Sequence, residues 1–141
     1  MDPNRVREFI KAQESVYADV VAELKAGRKT SHWMWFIFPQ LAGLGSSSMA
    51  RRFALSSVVE ARGYAEELVL GQRLRECTRL VIDVENRSIH RILGSPDDLK
   101  FRSSMTLFSI AVPEEPLFSQ VLQKYYGGEP DPRTIELLQG N

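Results

Sequence analysis

His32-Trp33-Met34-Trp35-Phe36-Ile37-Phe38-Pro39-Gln40 holds both tryptophans of the 141-residue chain, together with Phe36 and Phe38. Whether this stretch is a strand or a helical turn decides the fold class. It lacks Val and Thr and shows no period-two alternation of polar with apolar residues, so it reads as a short buried helix from His32 to Phe38. Ser31 can cap that helix, and Pro39 ends it by forcing the residue before it out of the α region. Burying these rings, at about 25 cal/mol per Å² of apolar surface removed from water, sets the segment at the centre of the core. Trp35→Ala is therefore expected to cost about 3–5 kcal/mol. The polar ends, His32 and Gln40, and the following Gly43-Leu44-Gly45-Ser46-Ser47-Ser48 also make the segment a natural wall for a pocket.

Reading outward, Val6, Phe9, Ile10, Val20, Val21 and Leu24 recur at helical spacing, which predicts one amphipathic helix from Asn4 to Ala26 with Gly27 at its C-cap. Arg28 and Lys29 then sit at its negative end as dipole complements. Ser47 caps a helix carrying Met49, Ala50, Phe53 and Leu55. Ser57 with Glu60 is a capping box for a helix to about Leu70, interrupted at Gly71 before a further helix from Gln72 to Val84. Ser88 caps a short turn, and Ser95-Pro96 opens a helix that runs to about Ala111 with Asp97 and Asp98 at its positive end. A helix of Leu117, Phe118, Val121 and Leu122 stops at Gly127-Gly128, and Asp131-Pro132 starts a last one. No strand pattern, fixed repeat or dividing linker interrupts this series. The expectation is one all-α domain over residues 1–141, built from seven or eight short helices.

Composition narrows the function classes. Eighteen Lys and Arg balance eighteen Asp and Glu, which argues against a nucleic-acid partner, since such binders carry a basic excess that displaces counterions. No eighteen-residue apolar run and no apolar signal core occur, so neither a membrane partner nor export is expected. The single Cys77 excludes an internal disulfide framework and fits a reducing, cytoplasmic setting.

The aromatic string His32–Gln40 with Gly43-Leu44-Gly45, and a second signature in Asp97-Asp98-Leu99-Lys100 with Ser103-Ser104-Met105-Thr106-Leu107-Phe108, resemble the bacterial domain-of-unknown-function family 1810. The resemblance covers nearly the whole chain. It implies a small, mainly helical cytosolic domain with no established reaction, so no catalytic residue transfers from it. Some members carry the label calpastatin, which implies a disordered repeat inhibitor, and a sequence this rich in core residues contradicts that label.

The chemistry must be read from the residues. Gly43, Gly45 and Ser46 precede a helix N-terminus and form a candidate anion cradle, with Arg51 and Arg52 nearby; a tight turn followed by a serine cap explains them as well. The loop matches neither phosphate-binding glycine fingerprint, and no cofactor is expected. Lys100, Ser103 and Ser104 share a helix face beside Arg102, where they can hold an anion or simply pack. His32 is a candidate acid or base and otherwise a histidine at a helix start; neither histidine has partners at metal-ligand spacing, so no metal site is expected. The expected site gathers His32, Trp33, Trp35, Gln40, Gly43, Gly45, Ser46, Lys100, Arg102, Ser103 and Ser104 around an anionic, nucleotide-like small molecule. Two alternatives remain: a protein-interaction module without catalysis, and an enzyme using His32 or Lys100 as acid or base.

Overall fold

The computed structural model describes residues 1–140; Asn141, the last residue of the expected domain, lies outside them. Its elements are α1 Pro3–Glu14, α2 Tyr17–Lys25, α3 Met34–Ile37, α4 Ser48–Arg52, α5 Val58–Glu66, α6 Leu68–Ile82, α7 Ile89–Leu93, α8 Asp97–Ala111, α9 Pro116–Tyr126 and α10 Pro132–Gln139. All are helices, and the extended contact among the described residues is an isolated parallel bridge between Leu41 and Leu55. The all-α class holds. Ten helices stand among the described residues where seven or eight were expected.

The breaks have local causes. The helix expected from Asn4 to Ala26 is two, because the chain turns at Ser15 and Val16, where the Val16 N–H bonds Gln13 O at 3.1 Å. The turn leaves Gln13 buried, its Nε2 donating to Phe36 O at 2.7 Å and to the Tyr64 hydroxyl at 2.9 Å. The interruption expected at Gly71 falls at Glu67 instead. Its carboxylate accepts from the N–H groups of Val69 and Leu70 at 2.9 and 2.8 Å, capping α6 and satisfying two of its orphan donors, while Gly71 lies inside that helix. At α8 the cap position belongs to Pro96, after a cis Ser95-Pro96 bond, rather than to Ser95.

The centre of the molecule is α8, on which Phe101, Ser103, Ser104, Met105, Thr106, Leu107, Phe108 and Ala111 are all buried. A helix covered on this many sides belongs to a core rather than a surface. It packs on α3, α5, α7, α9 and α10. The aromatic segment meets it edge to face, Phe38 against Phe101 with ring centroids 4.7 Å apart.

Of the two tryptophans, Trp33 is the fully buried one, at 0 % exposure, while Trp35 is partly exposed; the depth expected for Trp35 belongs to its neighbour. Trp33 is fixed by Glu23 of α2, whose Oε1 accepts from Trp33 Nε1 at 3.0 Å and from the N–H groups of Thr30 and Ser31 at 2.8 and 3.0 Å. The Ser31 hydroxyl donates to Glu23 Oε2 at 2.5 Å. Burial opposes ionisation of Glu23, yet these donors together hold its carboxyl below the ordinary range. Lys29 is no loose dipole complement: its ammonium lies 4.9 Å from the centre of a Trp33 ring and 2.8 Å from Asp97 Oδ2, with the side chain 6 % exposed. One aromatic residue and one ion pair thus tie the end of α2 to the start of α8.

Candidate functional site

A cavity of about 250 Å³ opens where three segments meet. Gln40 and Leu44 come from the exit of the aromatic segment, Pro96, Leu99, Lys100, Arg102 and Ser103 from the first turns of α8 and its cap, and Asp131 and Arg133 from the start of α10. The bridge beside Leu41 fixes the first of these: Leu55 N donates to Gln40 O at 2.9 Å and Ala42 N to Leu55 O at 2.8 Å. The Gln40 backbone is thereby held while its amide side chain has no hydrogen-bond partner among the described residues.

Helical periodicity brings the α8 residues round, with Leu99 and Ser103 four apart and Lys100 and Ser103 three apart. The Ser103 hydroxyl lies 2.8 Å from Asp131 Oδ2, which also accepts from Thr134 N at 3.1 Å and Thr134 Oγ1 at 2.6 Å. Asp131 N in turn donates to Thr106 Oγ1 at 2.8 Å. This aspartate is therefore both the N-cap of α10 and its clamp onto α8.

Three cations and one carboxylate line the cavity, and each cation has an acidic partner outside the lining. Lys100 Nζ is 4.0 Å from Asp97 Oδ1, at the limit of an ion contact, while the other oxygen of Asp97 holds Lys29 at 2.8 Å. The Lys100 ammonium also lies 5.8 Å from the centre of a Trp35 ring. Arg102 donates from Nε to Glu129 O at 3.1 Å and sits over Tyr126. Arg133 pairs with Glu136 at 3.6 Å, both largely exposed. Among the lining residues three cations meet one acid, and their partners Asp97, Glu129 and Glu136 stand outside the lining, so the positive excess belongs to the cavity wall alone.

Of the residues singled out from the sequence, Gln40, Lys100, Arg102 and Ser103 line this cavity and Trp35 touches it through Lys100. His32 is exposed and stands outside the lining, so the concavity expected to join His32, Gln40 and Lys100 contains only the last two. Trp33 is shut inside the core and has no face to offer a ligand. Gly43, Gly45 and Ser46 are outside the lining as well. A Cβ on Gly45 would stand 2.5 Å from that of Ala50, the Ser46 carbonyl accepts from Arg51 Nε at 2.9 Å, and Ser47 caps α4. The glycine loop is thus a tight packed turn, and its contribution to the cavity is Leu44. Ser104 is buried behind the wall, where its hydroxyl, like Trp35 Nε1, has no hydrogen-bond partner.

Asp131 and Arg133 were missed. Asp131-Pro132 carries a helix-start signal and is a helix start; that the same carboxylate faces α8 depends on how α10 docks, which no local pattern encodes.

Two further cavities, of about 370 and 360 Å³, each hold a hydrogen-bonded pair within their lining. In the first, Arg52 Nε bonds Glu8 at 3.1 Å above a floor that includes Phe36 and Phe53. In the second, the Tyr17 hydroxyl donates to Glu76 at 2.8 Å and Arg73 is taken up by Glu14 and Gln13. Cys77 lies beside the latter, and burial pushes its thiol up to about 12. Too little thiolate then exists near neutral pH to attack an electrophile. A thiol reagent at pH 7 is expected to leave Cys77 unlabelled in the native protein and to modify it once urea unfolds the chain; rapid native labelling would overturn this.

Among the described residues no group of three or more His, Cys, Asp or Glu is placed to hold a metal ion, and no helix is long and apolar enough to cross a membrane.

Comparison with known proteins bears on the whole chain. The family described as protein of unknown function (DUF1810) matches residues 3–138. The crystal structure of the conserved hypothetical protein Rv1873 from Mycobacterium tuberculosis superposes with a TM-score of 0.95 at 54 % sequence identity, covering 98 % of this chain and 99 % of that one. No curated protein matches.

Proposed function

The chain belongs to the DUF1810 family, and we propose that it binds a small anion, a phosphate or carboxylate group, in the cavity between the exit of the aromatic segment, α8 and α10. The observation that carries this reading is the presence of Lys100, Arg102 and Arg133 in the lining of one concave site where Asp131, the acid of that lining among the described residues, has one oxygen engaged by three hydrogen bonds. Cavities that enclose drug-sized ligands span about 300–1,000 Å³. At about 250 Å³ this one suits a compact anion better than a whole nucleotide. An acid–base role for His32 has no support from its position.

Lys100 supplies the test, because its ion pair with Asp97 is long and partly exposed and such pairs contribute about 0–1 kcal/mol to stability. Lys100→Ala is expected to unfold within about 4 °C of the wild type. A charge-assisted hydrogen bond contributes about 1.5–3 kcal/mol, so the same variant should bind phosphate or phosphate monoesters about tenfold or more weakly by calorimetry. An anion that stabilises the native state at ten times its dissociation constant adds about 1.4 kcal/mol, a readable thermal shift. If no phosphate or carboxylate compound shifts the wild type, or if Lys100→Ala responds identically, the anion reading fails and the protein-interaction reading takes its place.

A further inference from the structure

We infer that the anion held in this cavity is a phosphate ester of a polyhydroxylated carbon chain, a sugar phosphate, whose hydroxyl groups are read by Asp131 and Gln40. The inference rests on the anion reading and adds the chemical class of what is attached to the anion.

Two polar groups of the cavity lining are partly exposed and left to solvent or a ligand. Every hydrogen bond to the Asp131 carboxylate falls on Oδ2, from Ser103 Oγ, Thr134 N and Thr134 Oγ1. Among the described residues no donor reaches Oδ1. The Gln40 amide, from another lining segment, likewise has no hydrogen-bond partner among the described residues while its backbone is fixed by Leu55. A bare phosphate uses the three cations and makes nothing of a carboxylate oxygen, which repels it. An ionised carboxylate only accepts, so whatever meets Oδ1 must donate. Two donor chemistries are available, an ammonium and a hydroxyl. An ammonium would enter a site already carrying Lys100, Arg102 and Arg133, and like charges there raise its cost. A hydroxyl brings no charge, donates to Asp131 Oδ1, and matches the mixed donor and acceptor character of the Gln40 amide. The volume agrees: about 250 Å³ leaves room beyond a phosphate group for a short polyol and not for a base as well.

The test compares ribose 5-phosphate with methyl phosphate, which carries the same monoester and no hydroxyl, by calorimetry on the full chain. Wild-type protein is expected to bind ribose 5-phosphate about tenfold or more tightly than methyl phosphate. Asp131→Asn keeps a carbonyl oxygen for the α10 cap, where Asn is as good as Asp, and puts an NH₂ donor in the place of Oδ1. It should bind methyl phosphate at least as well as the wild type while the preference for the sugar falls to about twofold or less. Gln40→Leu, which leaves the cap untouched, should reduce the preference about threefold or more and carries the test if Asp131→Asn does not fold. Binding of methyl phosphate with no preference for ribose 5-phosphate overturns this inference and leaves the anion reading intact. So does a preference that both variants retain, or tighter binding of phosphoethanolamine than of ribose 5-phosphate. Failure of all these compounds to bind removes both.

Discussion

Gly71→Ala is expected to destabilise the protein by about 3 kcal/mol, read as a lower urea midpoint with an unchanged slope. Helix propensity alone gives the opposite sign, since replacing glycine by alanine inside a helix stabilises by about 0.5–1 kcal/mol, partly by restricting the unfolded chain. Packing decides otherwise. Gly71 sits one turn into α6, directly against the end of α5, and a Cβ there would stand 2.1 Å from the Ala65 carbonyl oxygen. That atom is backbone and cannot rotate away, so α5 and α6 would have to separate. Arg75 makes the separation costlier. Its Nη1 donates to Ala65 O at 2.7 Å and to Gly71 O at 3.1 Å, and its Nε donates to Glu115 at 2.8 Å, so a methyl group at this position, 2.9 Å from Nη1, also disturbs the link to the segment before α9. A midpoint equal to or above that of the wild type would show that the two helices slide apart freely and that the close approach is not a constraint.

This glycine also marks where sequence reading stops. The pattern predicts a helix on either side of residues 67–71, and both helices exist, but glycine is the commoner interruption and draws the expected break to Gly71. The break belongs to Glu67, whose side chain caps α6 from a position that looks like one more wet-face acid. Caps supplied by Ser47, Ser57, Ser88 and Asp131 were legible because each precedes its helix with a residue type that has few other uses there. The site divides the same way. Lys100 and Ser103 are three apart on one helix, and that spacing placed them on one face. Gln40 joins them because Pro39 ends the aromatic turn and the Leu41–Leu55 bridge fixes its exit, of which only the first is visible in the chain. Asp131 and Arg133 lie 28 and more residues beyond α8's Ser103, and their approach depends on the docking of α10. The error on His32 has a similar origin. Adjacency in sequence to a buried tryptophan says nothing about which side of the backbone a residue leaves from, and His32 leaves toward solvent.

Trp33→Ala is expected to cost about 3–5 kcal/mol in urea unfolding, and Trp35→Ala under about 2, an order set by their burial. Trp33 is wholly enclosed, packs near Phe38 with ring centroids 6.2 Å apart and lies under the Lys29 ammonium. Its removal opens a cavity at the junction of α2 and α8. Trp35 is partly exposed, and its Nε1 is buried without a partner, so its deletion also removes an unsatisfied donor and recovers part of what the lost packing costs. Trp33→Phe separates the ring from the N–H. It should cost about 1–2 kcal/mol near neutral pH, where the Trp33 Nε1 donates to an ionised Glu23. Because donors hold the Glu23 carboxyl below its ordinary value in the folded chain, their stabilisation is complete above the unfolded value and is lost as pH falls through the folded one. The difference between wild type and Trp33→Phe should therefore shrink in the acid range below the ordinary carboxylate value. A constant difference across that range would mean that the bond to Glu23 adds nothing beyond ring packing, and equal costs for Trp33→Ala and Trp35→Ala would mean that the aromatic segment does not enter the core with Trp33 inward.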